Sequence, residues 1–238
     1  MIKTIEPKLF SFDVEWIPDP LSAHLLHGVE ADSRSYEDAF RVLWKEAGAT
    51  EDNPHPYLKT MLCRIVTIAG ILREEGSDGK PVLRLVSMPE DVSDKDSCKE
   101  AVLLDRFLKY VGTNKPQLVG YNSVNADVPI IAQRAIAHGL DSYGFGKRPN
   151  KPWEGVDYFS GHGDAHVDLA PMLGRYTQTP KLHEAANVCG IPGKMGVSGD
   201  SVAEMWLGGD LQGIVNYNEY DAFTTHLLWA RMAHFSGA

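Results

Sequence analysis

Residues 9–17 read LFSFDVEWI and alternate with a period of two, so that Phe10, Phe12, Val14 and Trp16 point one way while Ser11, Asp13 and Glu15 point the other. This is a strand near the start of the chain with two acids side by side on one face. Carboxylates two positions apart on a strand repel each other unless something cationic lies between them, and an oxygen-seeking divalent metal is the natural occupant. An edge strand with a solvated polar face gives the same pattern, so the pair alone does not decide between a site and a surface.

Two further strands, over residues 63–72 and 82–88, flank EEGSDGKP, whose Gly-Ser-Asp-Gly core signals a hairpin. The first three strands are therefore expected to run antiparallel in sequence order. Val102, Leu103, Phe107, Leu108 and Val111 recur at helical spacing within residues 96–112, and residues 117–121 form a short buried strand. A helix over 127–138, a loop over 145–164 and a fifth short strand over 166–169 follow. Helices over 180–189, 201–207 and 211–233 complete the chain. This order predicts an α/β fold with a mixed five-stranded sheet and helices on its faces. Residues 18–59 hold a helix over 36–47 and a loop rich in Asn, Pro and His, with no strong pattern. They read as an insertion, able to cover an active site, within a single domain spanning 1–238.

The chain of 238 residues, 43% of them hydrophobic, is long enough for one full core. Cys63, Cys98 and Cys189 form no CxxC pair, so neither a disulfide framework nor a zinc ribbon is indicated, and a cytoplasmic protein is expected. No apolar run approaches the length of a membrane span. The net charge of -9 counts against a protein that grips long duplexes, because that affinity comes from Lys and Arg. The objection weakens where the acids cluster around cations that attract phosphate in their place.

Two more elements carry chemistry. GYNSVNADVPII ends a strand at Tyr121 and turns into a helix near Asp127, at the kind of strand end where open α/β sheets bind ligands. Capping of that helix explains Asp127 equally well, though not Asn122. On the last helix, Ile214, Tyr217, Asp221, Thr224 and Leu228 share one stripe. Asp221 thus sits among core-facing groups, and a buried carboxylate needs a metal, a cation or a donor. Tyr217, one turn earlier, reaches the same place.

FSFDVEW, YNSVNADVPII and YNEYD together resemble the three motifs of the proofreading exonuclease superfamily with four acidic metal ligands. The Tyr-x-x-x-Asp spacing places the chain on the tyrosine branch found in family A and family B DNA polymerases; the histidine branch would carry His where Asn216 stands. HVDLAPML, KLHEAANVCGIPGKMGVSGDSV and GGDL extend the resemblance to stand-alone bacterial proteins described as predicted exonucleases related to the family B polymerase exonuclease domain. One departure is Ala126, where polymerase domains usually carry an aromatic before the acid of the second motif.

The resemblance implies a ribonuclease H-like fold in which Asp13, Glu15, Asp127 and Asp221 hold two Mg²⁺ or Mn²⁺ ions and Tyr217 positions the attacking water. The expected activity is removal of nucleoside 5′-monophosphates from a nucleic-acid 3′ end, single-stranded DNA favoured. A noncatalytic nucleic-acid-binding module of the same fold is the alternative from another class, and a 3′-5′ exoribonuclease the alternative enzyme. Asn122 is a further candidate for substrate contact, or a structural turn. Lys194, between glycines, meets a phosphate or ends a helix. Asp168 in HVDL is placed to cap backbone amides. Lys147, Arg148 and Lys151, mixed with aromatics, read as a strand-binding or a solvated loop. His162 and His166, beside Asp164, read as parts of a flexible loop.

Overall fold

β1 (Lys8–Pro18) is the middle strand of a five-stranded sheet of order β3-β2-β1-β4-β5. The computed structural model describes residues 2–30, 36–151, 154–160, 163–174, 178–192 and 201–238. β1 pairs antiparallel with β2 (Cys63–Glu75), and β2 with β3 (Pro81–Met88), so the hairpin signal and the antiparallel order both hold. On its other edge β1 pairs in parallel with β4 (Gln117–Gly120), which pairs in parallel with β5 (His166–Asp168).

The central position explains why Leu9, Phe10, Ser11 and Phe12 are all buried: both faces of β1 are covered. Phe10 and Phe12 pack on Phe107 of α3 (Glu100–Asn114), with ring centroids 6.3 and 5.6 Å away. Ser11, pointing the opposite way, meets His226 of α8 (Leu211–Ser236), its Oγ 2.9 Å from Nδ1. Helices therefore cover both faces, and a solvated edge strand is excluded for Asp13 and Glu15. The register shifts between Glu15 and Trp16, where β2 carries the extra residue Val66, and Trp16 still packs, partly buried, with the cluster of Phe10, Phe12 and Val14.

α4 (Asp127–Ala137) is fixed by a buried ionic network. Arg134 donates from Nε and Nη2 to the two Glu100 oxygens at 2.8 and 2.7 Å, and from Nη1 to Asp19 at 3.0 Å. Glu100 also accepts the Ile65 amide at 2.7 Å. Each buried charge thus has a close partner, and the network ties the end of β1 and the start of α3 to the helix that carries Asp127.

Residues 18–59 contain two helices, α1 (Pro20–His27) and α2 (Tyr36–Glu46), which pack on each other. The short helices α5 (Leu169–Gly174), α6 (Leu182–Val188) and α7 (Val202–Leu207) connect β5 to α8. α1 and α5 go beyond the elements expected from the sequence. No helix among the described residues is long and apolar enough to cross a membrane.

Burial, with Arg73 nearby, lowers the His226 pKa to about 4. The folded protein therefore binds fewer protons than the unfolded chain between about pH 4 and pH 6.5. Stability from this group is complete above pH 6.5 and is lost as the pH falls toward 4, by up to roughly 3 kcal/mol. Urea midpoints at pH 7.5 and pH 5, compared with those of His226→Gln, isolate the effect: the variant should lose less stability on acidification.

Candidate active site

Where β1 passes under α8, three carboxylates converge: one oxygen from each of Asp13, Glu15 and Asp221 lies within 4.8 Å of the others. The strand period places Asp13 and Glu15 on the α8 face, and the helical stripe turns Asp221 toward them. Every member of that stripe, Ile214, Tyr217, Asp221, Thr224 and Leu228, is buried.

Asn218 holds the first acid in place. Its Nδ2 donates to Asp13 Oδ2 at 2.7 Å, and its Oδ1 accepts from Thr67 Oγ1 at 3.3 Å, the residue paired with Glu15 across the sheet. Asn218 was not among the residues singled out from the sequence. It stands three residues before Asp221 and four after Ile214, so the same helical spacing could have found it.

Asp127 approaches from the other side. β4 pairs only with residues 9–11 of β1, and beyond them the Asp127 carboxylate accepts the Val14 amide as well as its own. It lies outside the group of three, yet its charge reaches Asp13. The N-cap of α4 is Ala126, with no side-chain cap, so capping does not account for Asp127, whose carboxylate bonds to a strand more than a hundred residues away in sequence.

These surroundings disfavour negative charge. Burial first, then the charges of Glu15, Asp127 and Asp221, hold the Asp13 pKa well above the ordinary carboxylate value, against the bond from Asn218. Burial pushes Asp127 up to about 7, with Asp168 adding repulsion and backbone amides opposing it. Tyr217 is raised by burial, by the charges of Glu15 and Asp221, and by a hydrogen bond to Asp221. It stays protonated at any physiological pH, so the side chain carries a hydroxyl and not a phenolate. A set of carboxylate oxygens without His or Cys suits a hard divalent cation, which would relieve the mutual repulsion.

The turn before Asp127 is shaped by its own residues. Asn122 is exposed and left-handed (φ 59°), a conformation that Asn tolerates better than most residues. A Cβ on Gly120 would collide with Ser123 Oγ, so glycine lets the turn close tightly. Asp168 accepts the amides of Asn122, Val124 and Ala170 at 2.7, 3.0 and 3.2 Å, which is the capping expected of it.

His166 corrects the loop reading. It is buried in β5, where Nδ1–H donates to the Tyr158 carbonyl and Nε2 accepts from Ser123 Oγ, both at 2.8 Å. Its pair of hydrogen bonds to the Ser123 turn and to Tyr158 overrides the flexibility suggested by the neighbouring glycines. Among the basic loop residues, Arg148 pairs with Asp157 at 3.0 Å and Lys151 with Glu154 at 3.4 Å. Lys194, His162 and Trp153 lie outside the described residues.

The architecture is the α/β, ribonuclease H-like sheet of polymerase exonuclease domains. It is similar to the family B DNA polymerase from the hyperthermophilic archaeon Pyrobaculum calidifontis, with a TM-score of 0.55 and 18% sequence identity. The match covers 96% of this chain and 24% of that one, so the chain spans about a quarter of the polymerase's length. The chain belongs to the family described as predicted 3′-5′ exonuclease related to the exonuclease domain of PolB, whose model matches residues 55–238. Asp127, Tyr217 and Asp221 fall inside that match; Asp13 and Glu15 precede it and join the others through the geometry of β1. No curated protein matches the chain.

Proposed function

We propose that this chain is an active 3′-5′ exonuclease that hydrolyses the terminal phosphodiester of a nucleic-acid strand, single-stranded DNA favoured, and releases nucleoside 5′-monophosphates. The observation that carries the reading is the meeting of Asp13, Glu15 and Asp221 at one point, with Asp127 and Tyr217 beside them. In a noncatalytic module, a cluster that disfavours its own charge would weaken the fold without serving a reaction.

Asp13, Glu15, Asp127 and Asp221 are the residues to hold Mg²⁺ or Mn²⁺. Such ions, when bound, supply positive charge that makes water nucleophilic at neutral pH and stabilises the attacking and leaving oxygens of an in-line displacement. Asn218 keeps the Asp13 carboxylate turned toward the cluster, and the Val14 amide does the same for Asp127. The Tyr217 hydroxyl, held protonated and bonded to Asp221, orients the attacking water by hydrogen bonding rather than by removing its proton.

The test compares a linear single strand with the same sequence closed into a circle, in Mn²⁺. Only the linear strand should be consumed, and degradation of the circle would place the activity among endonucleases. In the same assay Tyr217→Phe should lower the rate by about 10- to 100-fold, the range for groups that support a metal site without ligating it. A loss as deep as that of a ligand variant would mean that the hydroxyl has a larger role.

A further inference from the structure

Tyr57 is 70% exposed, although its neighbours on both sides are held in place. Leu58 is buried in the core, and Thr60 Oγ1 donates to Gln133 of α4 at 2.8 Å. Before it, the His55 ring lies on Trp44 with centroids 4.0 Å apart, and Trp44 meets Phe40 edge-on at 5.8 Å. A large ring on a pinned segment keeps its position and so can receive a ligand at low entropic cost.

The segment leads onto the helix that carries Asp127. The 3₁₀ turn that follows (Thr60–Leu62) packs on α4, the helix that begins at Asp127, and the Tyr57 phenol feels the Asp127 charge. Ala126 puts no large side chain beside that acid. With Leu58 turned inward, Tyr57 and Lys59 are both exposed, and Lys59 pairs with no carboxylate among the described residues. An aromatic face next to a cation is the pairing that sequence-tolerant single-strand binding uses, the ring for a base and the charge for the backbone.

We propose that Tyr57 and Lys59 form a nucleotide-docking wall beside the acidic site, the Tyr57 ring stacking on a base at the strand end and the Lys59 ammonium meeting a backbone phosphate. Part of the segment preceding β2 thereby becomes substrate-binding surface. The inference rests on the exonuclease reading and names how its substrate is held; both are positioning residues.

On a 5′-labelled single strand, Tyr57→Ala should raise KM about tenfold with kcat little changed, and Tyr57→Phe should stay near wild type. A strand ending in abasic nucleotides should be bound about tenfold less tightly by the unaltered protein and show no such penalty with Tyr57→Ala. Lys59→Gln should lower the slope of log KM against log salt by about 0.7, the contribution of one phosphate contact on a single strand. Wild-type KM together with wild-type discrimination against the abasic end in Tyr57→Ala would overturn the inference. If the protein shortens no strand, the exonuclease reading fails, and fluorescence anisotropy of the same strand in the Asp13→Asn background still decides the wall. About tenfold weaker binding on adding Tyr57→Ala supports it, and equal affinity refutes it.

Discussion

Asp13→Asn and Asp221→Asn are each expected to cut Mn²⁺-dependent strand shortening by more than about a hundredfold while making the metal-free protein more stable. Residues that merely support metal ligands cost about 10- to 100-fold when replaced, so loss of a proposed ligand should cost more. The opposite sign in stability follows from the site's electrostatics. Asp13 is half-buried among three other acids, and desolvation and their charges raise its pKa, so in the absence of a cation its charge works against folding. Asn keeps the size of the side chain and an oxygen to accept from Asn218, and it removes the repulsion. Activity assays and thermal melts in EDTA, run on the same preparations, check both halves. A variant that loses activity through unfolding would melt lower, not higher.

The second large effect is the response to metal. A ligand present at a hundred times its dissociation constant stabilises the state that binds it by about 2.7 kcal/mol. For a chain of this size that corresponds to a rise in Tm of roughly 5–10 °C. Mn²⁺ should produce such a rise in the unaltered protein, EDTA should reverse it, and a variant with all four acids changed to carboxamides should show none. Equal responses from the two proteins would mean that the ions bind elsewhere, and would favour a noncatalytic module.

Much of this arrangement was legible in the sequence because it depends on local periods. The alternation in residues 9–17 placed Asp13 and Glu15 together, and the helical stripe placed Tyr217 and Asp221 on the core side of α8. Other parts depend on distant partners. Helical spacing could place Asn218 on the inward stripe, but its partner Asp13 lies 205 positions away, and the Val14 amide that holds Asp127 is likewise distant in sequence. α1 carries no core-facing stripe, since Leu21, Leu25 and Leu26 are all exposed, although Asp19 and Pro20 form a proper helix start. α5 is too short for helical periodicity to show.

Tyr57 illustrates the same limit. An exposed Tyr in an Asn-, Pro- and His-rich stretch looks like an ordinary loop residue, and only the packing of Leu58 and the Thr60–Gln133 bond hold its segment against the helix that begins at Asp127.

The most direct test of the exonuclease reading is a time course on 5′-labelled DNA and RNA single strands with Mg²⁺ or Mn²⁺, resolved at single-nucleotide length. The site described here predicts a descending ladder of labelled products on at least one of the two substrates, with DNA favoured, no ladder in EDTA and almost none with Asp13→Asn. Label released at once as a mononucleotide, or strands left intact with either metal, would contradict it.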